Sequence, residues 1–134
     1  MKVVIIDGQG GKMGQMIVER IKSANLPCEI AAVGTNSIAT SVMLKAGADT
    51  GATGENPVIV ASRDADVIIG PIGIIAADSL LGEVTPAMAV AIGQSKAKKL
   101  LLPVNLCNNI IVGTGQISMA KLITEAVEEL AKMM

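Results

Sequence analysis

VVIIDGQGGKMGQMIVERI, residues Val3 to Ile21, places a strand signal, a glycine-rich turn and a helix signal in immediate succession. KVVIID, Lys2 to Asp7, is a continuous apolar run closed by a carboxylate, the pattern of a parallel strand buried on both faces. Beyond the turn, Met13, Met16, Ile17, Ile21 and Ala24 recur at helical spacing, leaving Lys12, Gln15, Glu19 and Lys22 for a polar face. Asn25, Leu26 and Pro27 stop that helix. Between the two elements Gly8, Gly11 and Gly14 stand in the spacing G-x-x-G-x-x-G, with Gly10 added. A strand before and a helix after give such glycines a meaning as a phosphate-binding turn. The first makes the tight turn, the middle ones let a phosphate approach the backbone, and the last packs helix on strand. Amides at the helix N-terminus then face the anion. The lesser reading is a compact strand-to-helix connection without a ligand.

CEIAAVG, Cys28 to Gly34, reads as a second strand, and Asn36 and Ser37 offer caps for a helix carrying Ile38, Val42 and Ala46 and stopped at Gly47. PVIVAS, Pro57 to Ser62, and DVIIGP, Asp66 to Pro71, read as two further strands joined by Arg63 to Ala65. GIIAADSLLG, Gly73 to Gly82, is expected to be helical. Thr85 followed by Pro86 is a cap with proline at the first helical position, so AMAVAIGQS continues as helix. KKLLLPV, Lys98 to Val104, is a fifth strand, and NIIVG, Asn109 to Gly113, a candidate sixth. The clearest helix closes the chain: Met119, Leu122, Ile123, Ala126, Val127 and Leu130 make one stripe, and Lys121, Glu125, Glu128, Glu129 and Lys132 the opposite face. Alternating strands and helices over one domain, residues 1–134, predict an α/β, Rossmann-like, open and mostly parallel sheet with helices on both faces.

Ligands of such sheets bind outside the carboxyl ends of the strands. The predicted ends carry Asp7 and Gly8, Gly34 to Asn36, Gly70 to Gly73, and Asn105, so each end has small or hydrogen-bonding groups. Asp7 is expected to brace the turn by accepting backbone amides rather than to do chemistry. About 20 residues past the turn an NAD-binding domain presents Asp or Glu to the ribose hydroxyls, whereas this chain has Gly34, Thr35 and Asn36. Thr35 and Asn36 could hold the ribose, or Lys12 could accept a 2′-phosphate, which makes NADP as plausible as NAD. Asn36 could also simply cap its helix. GADTGATGEN, Gly47 to Asn56, is either a flexible connection or a ligand lid. Asp78 and Glu83 read first as solvated carboxylates, with direct chemistry the lesser reading.

The turn GQGGKMG resembles the start of dihydrodipicolinate reductase and similar dinucleotide-binding reductases, whose turn has the form G-x-x-G-[RK]-M-G. On that resemblance Gly8, Gly11, Lys12, Met13 and Gly14 take cofactor-turn positions, and Gly70 and Gly73 in IIGPIG match the glycines those enzymes place near the nicotinamide. Their substrate domain, with paired histidines and a lysine, has no counterpart here, so that activity does not transfer. Through GTNSIATSVMLKAGADTGATGEN and IGPIGIIAADSLLGEVTPAMAVAIGQSKAKKLLLPVN the chain also resembles a family of small bacterial proteins from anaerobic Firmicutes classed as a domain of unknown function. That resemblance implies a discrete small protein with no assigned activity.

Composition narrows the function classes. The chain has no His, so the commonest metal ligand and the usual general base near neutral pH are missing. Its formal charge of -1 and its lack of Phe, Tyr and Trp argue against nucleic acid, which favours basic stripes and stacking platforms. Apolar residues make up 51% of the chain but fall in short runs, none long enough to cross a bilayer. With no apolar leader behind Met1, the expected location is the cytoplasm. Cys28 and Cys107 are expected to be buried free thiols. These features predict binding of a small-molecule nucleotide, with NAD(P) as the leading cofactor, by a homo-oligomer. Whether that serves a redox enzyme, a nucleotide-sensing module or a purely structural assembly stays open. Lys12 is the first position to test for binding, and Asn105 for chemistry.

Overall fold

The computed structural model describes residues 1–104 and 108–134. Five strands alternate with five helices: β1 (Lys2–Asp7), α1 (Lys12–Ser23), β2 (Glu29–Gly34), α2 (Ser37–Lys45), β3 (Thr50–Thr53), α3 (Glu55–Asp64), β4 (Val67–Pro71), α4 (Pro86–Gln94), β5 (Lys98–Leu102) and α5 (Met119–Ala131). A short 3₁₀ turn, Ile72–Ile75, follows β4. All five strands are parallel, in the order β3-β2-β1-β4-β5. The fold is therefore the expected Rossmann-like α/β architecture, with every pairing parallel.

Pleating divides the core between the two faces of the sheet. Val3 and Ile5 of β1 point to the layer built by α1, α2 and α5, where Ile17, Ile21, Met43, Ile123 and Leu130 are buried. Val4 and Ile6 point the other way, onto Val58 of α3, Ile74, and Met88 and Ile92 of α4. The chain winds outward from β1 to β3, then returns to lay β4 on the far side of β1. Strand order thus reverses between β1 and β4, and the crevice this opens lies at the carboxyl ends of those strands.

Three expected elements are corrected. PVIVAS is not a strand: Pro57 lies in the first turn of α3, where its missing N–H costs nothing, and Val58 and Ser62, one helical turn apart, are the buried positions. Two strands joined by three residues could pair only antiparallel, whereas a parallel sheet needs a crossover helix between them. The third strand comes instead from GADTGATGEN, as the edge strand TGAT, which carries no apolar alternation and is exposed along its length. GIIAADSLLG forms only the 3₁₀ turn and then a loop, because Asp78, Leu80 and Leu81 adopt left-handed φ values of 66°, 55° and 57° that no helix accommodates. NIIVG is irregular, with Ile110 and Val112 about nine-tenths exposed at 87% and 93%. Cys28 is a free thiol but only half-buried, and burial pushes its pKa up. Cys107 lies outside the described residues.

Candidate functional site

The turn after β1 is held from below by Asp7. Its side chain is buried, Oδ1 accepts the Gly8 N–H and Oδ2 the Gly14 N–H, each at 2.8 Å. The Gly8 carbonyl accepts the Gly11 N–H at 2.9 Å and closes the loop. The glycines have separate reasons. Gly11, the N-cap of α1, sits at φ 72°, and a Cβ there would lie 2.7 Å from the Ala39 Cα of α2. A Cβ on Gly14 would collide with the Met43 thioether and approach Asp7 Cβ to 3.1 Å, so this glycine lets α1 lie close on β1 and α2. Gly10 differs: a Cβ there meets nothing within 4 Å. Beside it the N–H groups of Lys12 and Met13, in the first turn of α1, have no acceptor among the described residues. The Lys12 side chain is exposed and that of Met13 is buried.

Thr35 and Asn36 follow β2 and border the same turn. Asn36 caps α2, its Oδ1 accepting the Ala39 N–H at 2.9 Å, while its Nδ2 donates to the Gln9 carbonyl at 2.9 Å. Gly34 before them is pressed against Thr40, whose hydroxyl accepts the Gly34 N–H at 3.1 Å.

Sequence reasoning undervalued Glu83. The loop after the 3₁₀ turn folds over the carboxyl end of β1, burying Leu80 against Gly8, and delivers the Glu83 carboxylate between the first two turns. Its Oε1 accepts the Gln9 N–H at 2.9 Å, the Thr35 hydroxyl at 2.7 Å and the Asn36 amide at 2.8 Å. Each left-handed residue in that loop costs about 1–2 kcal/mol, so the path that places Glu83 is held against local preference. The one available signal was position, since the loop leaves the carboxyl end of β4 and so shares an edge with the glycine turn.

The structure brings Gly8, Gly10, Gly11, Lys12, Met13, Gly14, Thr35 and Asn36 to one edge of the sheet. Gly70 and Gly73 lie on the β4 side. Both are buried: a Cβ on Gly70 would strike the Ile6 carbonyl, and the Gly73 carbonyl accepts the Ser79 hydroxyl. Asn105 lies outside the described residues. Surface cavities of about 620 Å³ beside β5 and α5, about 410 Å³ between α3 and α4 and about 380 Å³ between β2, β3 and α3 lie away from the turn. At the turn itself, Leu80 and Glu83 fill the space over Gly8, and the opening is over Gly10.

Burial raises the pKa of Asp7 despite the Gly14 and Gly8 amides, and the charge of Glu83 raises it further. Burial also disfavours the Glu83 carboxylate, but the Gln9 amide, Thr35 and Asn36 outweigh it and lower that pKa. The signs oppose. Asp7 stabilises the fold most when protonated, below its ordinary 3.8, and that stability is lost as pH rises through its raised folded value. Glu83 contributes above its ordinary 4.5, and its contribution is lost as pH falls through its lowered folded value. Melting temperature is therefore expected to hold or rise as pH falls from 7 towards about 4.5 and to drop below it. Circular dichroism melts of wild type and Glu83→Gln check this: the variant should lose part of the acid-side drop, with Asp49, lowered by the Ile30 amide, keeping the rest.

Among the described residues no cluster of three or more His, Cys, Asp or Glu is placed to hold a metal, and no helix is long and apolar enough to cross a membrane. No curated protein matches the chain. A solved structure with a similar course of the chain is a dodecameric FMN-dependent UbiX-like decarboxylase from Escherichia coli O157:H7, at 13% identity and a TM-score of 0.46, with 99% of this chain and 94% of that one covered. The match that assigns the chain runs over residues 2–134, and by it the protein belongs to the family described as Domain of unknown function (DUF3842).

Proposed function

We propose that the protein binds a nucleotide at the Gly8–Gly14 turn, with a dinucleotide of the NAD(P) type as the leading ligand. One observation carries this reading: Gly10 opens onto free space beside the N–H groups of Lys12 and Met13, which have no acceptor among the described residues, while Asp7 locks the rest of the turn. The fold itself makes no steric demand for glycine at this position, since a Cβ there meets nothing within 4 Å. Open amides at a helix N-terminus favour an anion through both hydrogen bonding and the helix dipole. Lys12, exposed at the same end, adds a positive charge.

The protein lacks Phe, Tyr and Trp, so a purine, nicotinamide or flavin carried through purification dominates its near-ultraviolet absorbance. Acid release followed by mass spectrometry, then calorimetric titration with NAD⁺, NADP⁺, ADP and FMN, is expected to identify a phosphate-bearing nucleotide. A folded protein with a clean spectrum and no affinity for any of the four overturns the proposal.

A second reading is an assembly module, with or without a ligand. It is favoured by the apolar segment after β5, where Ile110 and Val112 are almost fully exposed at 87% and 93%. Light scattering on the same samples, with and without nucleotide, separates the two. An oligomer that forms without nucleotide and is indifferent to it favours assembly alone.

A further inference from the structure

The end of β2 carries Gly34, Thr35 and Asn36, with no acidic residue of its own for a ribose. The fold supplies one from elsewhere. Glu83 arrives from the loop between β4 and α4 and sits between the turn after β1 and the turn after β2. Three donors, the Gln9 N–H, the Thr35 hydroxyl and the Asn36 amide, converge on Oε1 and fix the direction of the carboxylate. Oε2 has no partner among the described residues, and the residue is only half-buried. No lysine or arginine among the described residues forms an ion pair with it.

We infer that Glu83 is the acceptor for the ribose hydroxyls of the bound nucleotide, and that it selects a dinucleotide with a free 2′-hydroxyl over its 2′-phosphorylated counterpart. The inference rests on the nucleotide-binding reading above and deepens it. A ribose held beside Thr35 and Asn36, with its phosphate over Gly10, presents its 2′- and 3′-hydroxyls as donors, and an oriented carboxylate oxygen without a partner among the described residues accepts them. A 2′-phosphate in the same place brings its negative charge against a carboxylate that forms no ion pair among the described residues, and it offers no proton to share. The loop's own backbone hydrogen bonds, from the Asp78 N–H to the Val84 carbonyl at 2.7 Å and from the Val84 N–H to the Ser79 carbonyl at 3.2 Å, together with the three donors on Oε1, hold the carboxylate in place against the left-handed strain of Asp78, Leu80 and Leu81. NADP and NAD, of equal standing in the sequence, thereby separate in favour of the NAD type.

Calorimetric titration of the full chain with NAD⁺ and NADP⁺ tests this, for wild type and Glu83→Gln, with far-ultraviolet circular dichroism confirming that each is folded. Wild type is expected to bind NAD⁺ about tenfold or more tightly than NADP⁺, the size of one hydrogen bond to a charged group. Glu83→Gln should lose about tenfold for NAD⁺ and bring the two affinities together. Equal affinities in wild type overturn the inference even if the variant fails to fold. So does a Glu83→Gln variant that binds both ligands more tightly by the same factor, since the carboxylate would then merely cover the turn. Binding without discrimination sinks this inference alone, whereas a folded wild type that binds no nucleotide sinks the nucleotide-binding reading with it.

Discussion

Gly11→Ala is expected to lower the melting temperature by roughly 10 to 20 °C. Two costs combine. The φ of 72° at the N-cap of α1 costs an L-residue about 1–2 kcal/mol. The new methyl group would also lie 2.7 Å from the Ala39 Cα, 3.1 Å from its carbonyl oxygen and 3.2 Å from its Cβ, so backbone has to move, and overpacking of that kind costs about 1–3 kcal/mol. The sum is a large share of the roughly 5–15 kcal/mol that holds an ordinary domain together. Because aromatic fluorescence is absent, the measurement is a far-ultraviolet circular dichroism melt. Gly10→Ala, one residue earlier, meets nothing within 4 Å and should melt within a few degrees of wild type. A small shift for Gly11→Ala would mean that α2 yields easily at Ala39 and that the turn is not clamped.

Gly10→Val is expected to do the reverse, leaving the melting temperature nearly unchanged and weakening nucleotide binding by about a hundredfold or more. Gly10 is the one glycine of the turn whose Cβ position is open, so a branched side chain fits the free protein and occupies the approach to the Lys12 and Met13 amides. Losing even one or two charge-assisted hydrogen bonds to a phosphate removes about 3 kcal/mol. Titration of Gly10→Ala and Gly10→Val beside wild type checks this, with affinity expected to fall as the side chain grows. Full affinity in a folded Gly10→Val would move the ligand away from this turn. Gly11 is thus the residue of the turn that the fold needs, and Gly10 the one whose replacement tests ligand binding.

Much of this edge is legible in the amino-acid sequence, because its causes are local. Asp7 ends an apolar strand beside glycines, and such a carboxylate finds backbone amides within a few residues, here Gly8 and Gly14. Gly14 is readable as the close-packing glycine, although its partner Met43 is not. Asn36 precedes a helix, and its cap on the Ala39 amide spans three residues. The misread elements share a different cause. Val58, Ile59 and Val60 have strand-like side chains, but the sheet already took its third strand from Thr50–Thr53 and needed a crossover. The demand came from topology, which outweighs the propensity of three residues.

Taken alone, the sequence determined the strand-turn-helix at the start, the mostly parallel α/β class, a helix cap at Asn36 or Ser37 and another at Thr85, the amphipathic last helix and the bracing role of Asp7. All of these follow from periodicities and turn chemistry that act within one or two helical turns. Only the tertiary structure decided which glycines are sterically compelled, which strand occupies the edge, and that a carboxylate stands beside Thr35 and Asn36. Glu83 lies 74 residues from Gln9 and 48 from Thr35 along the chain. Contacts at that separation are set by strand order and by the path of a left-handed loop across the end of β1, and neither leaves a local pattern in the residues that make it.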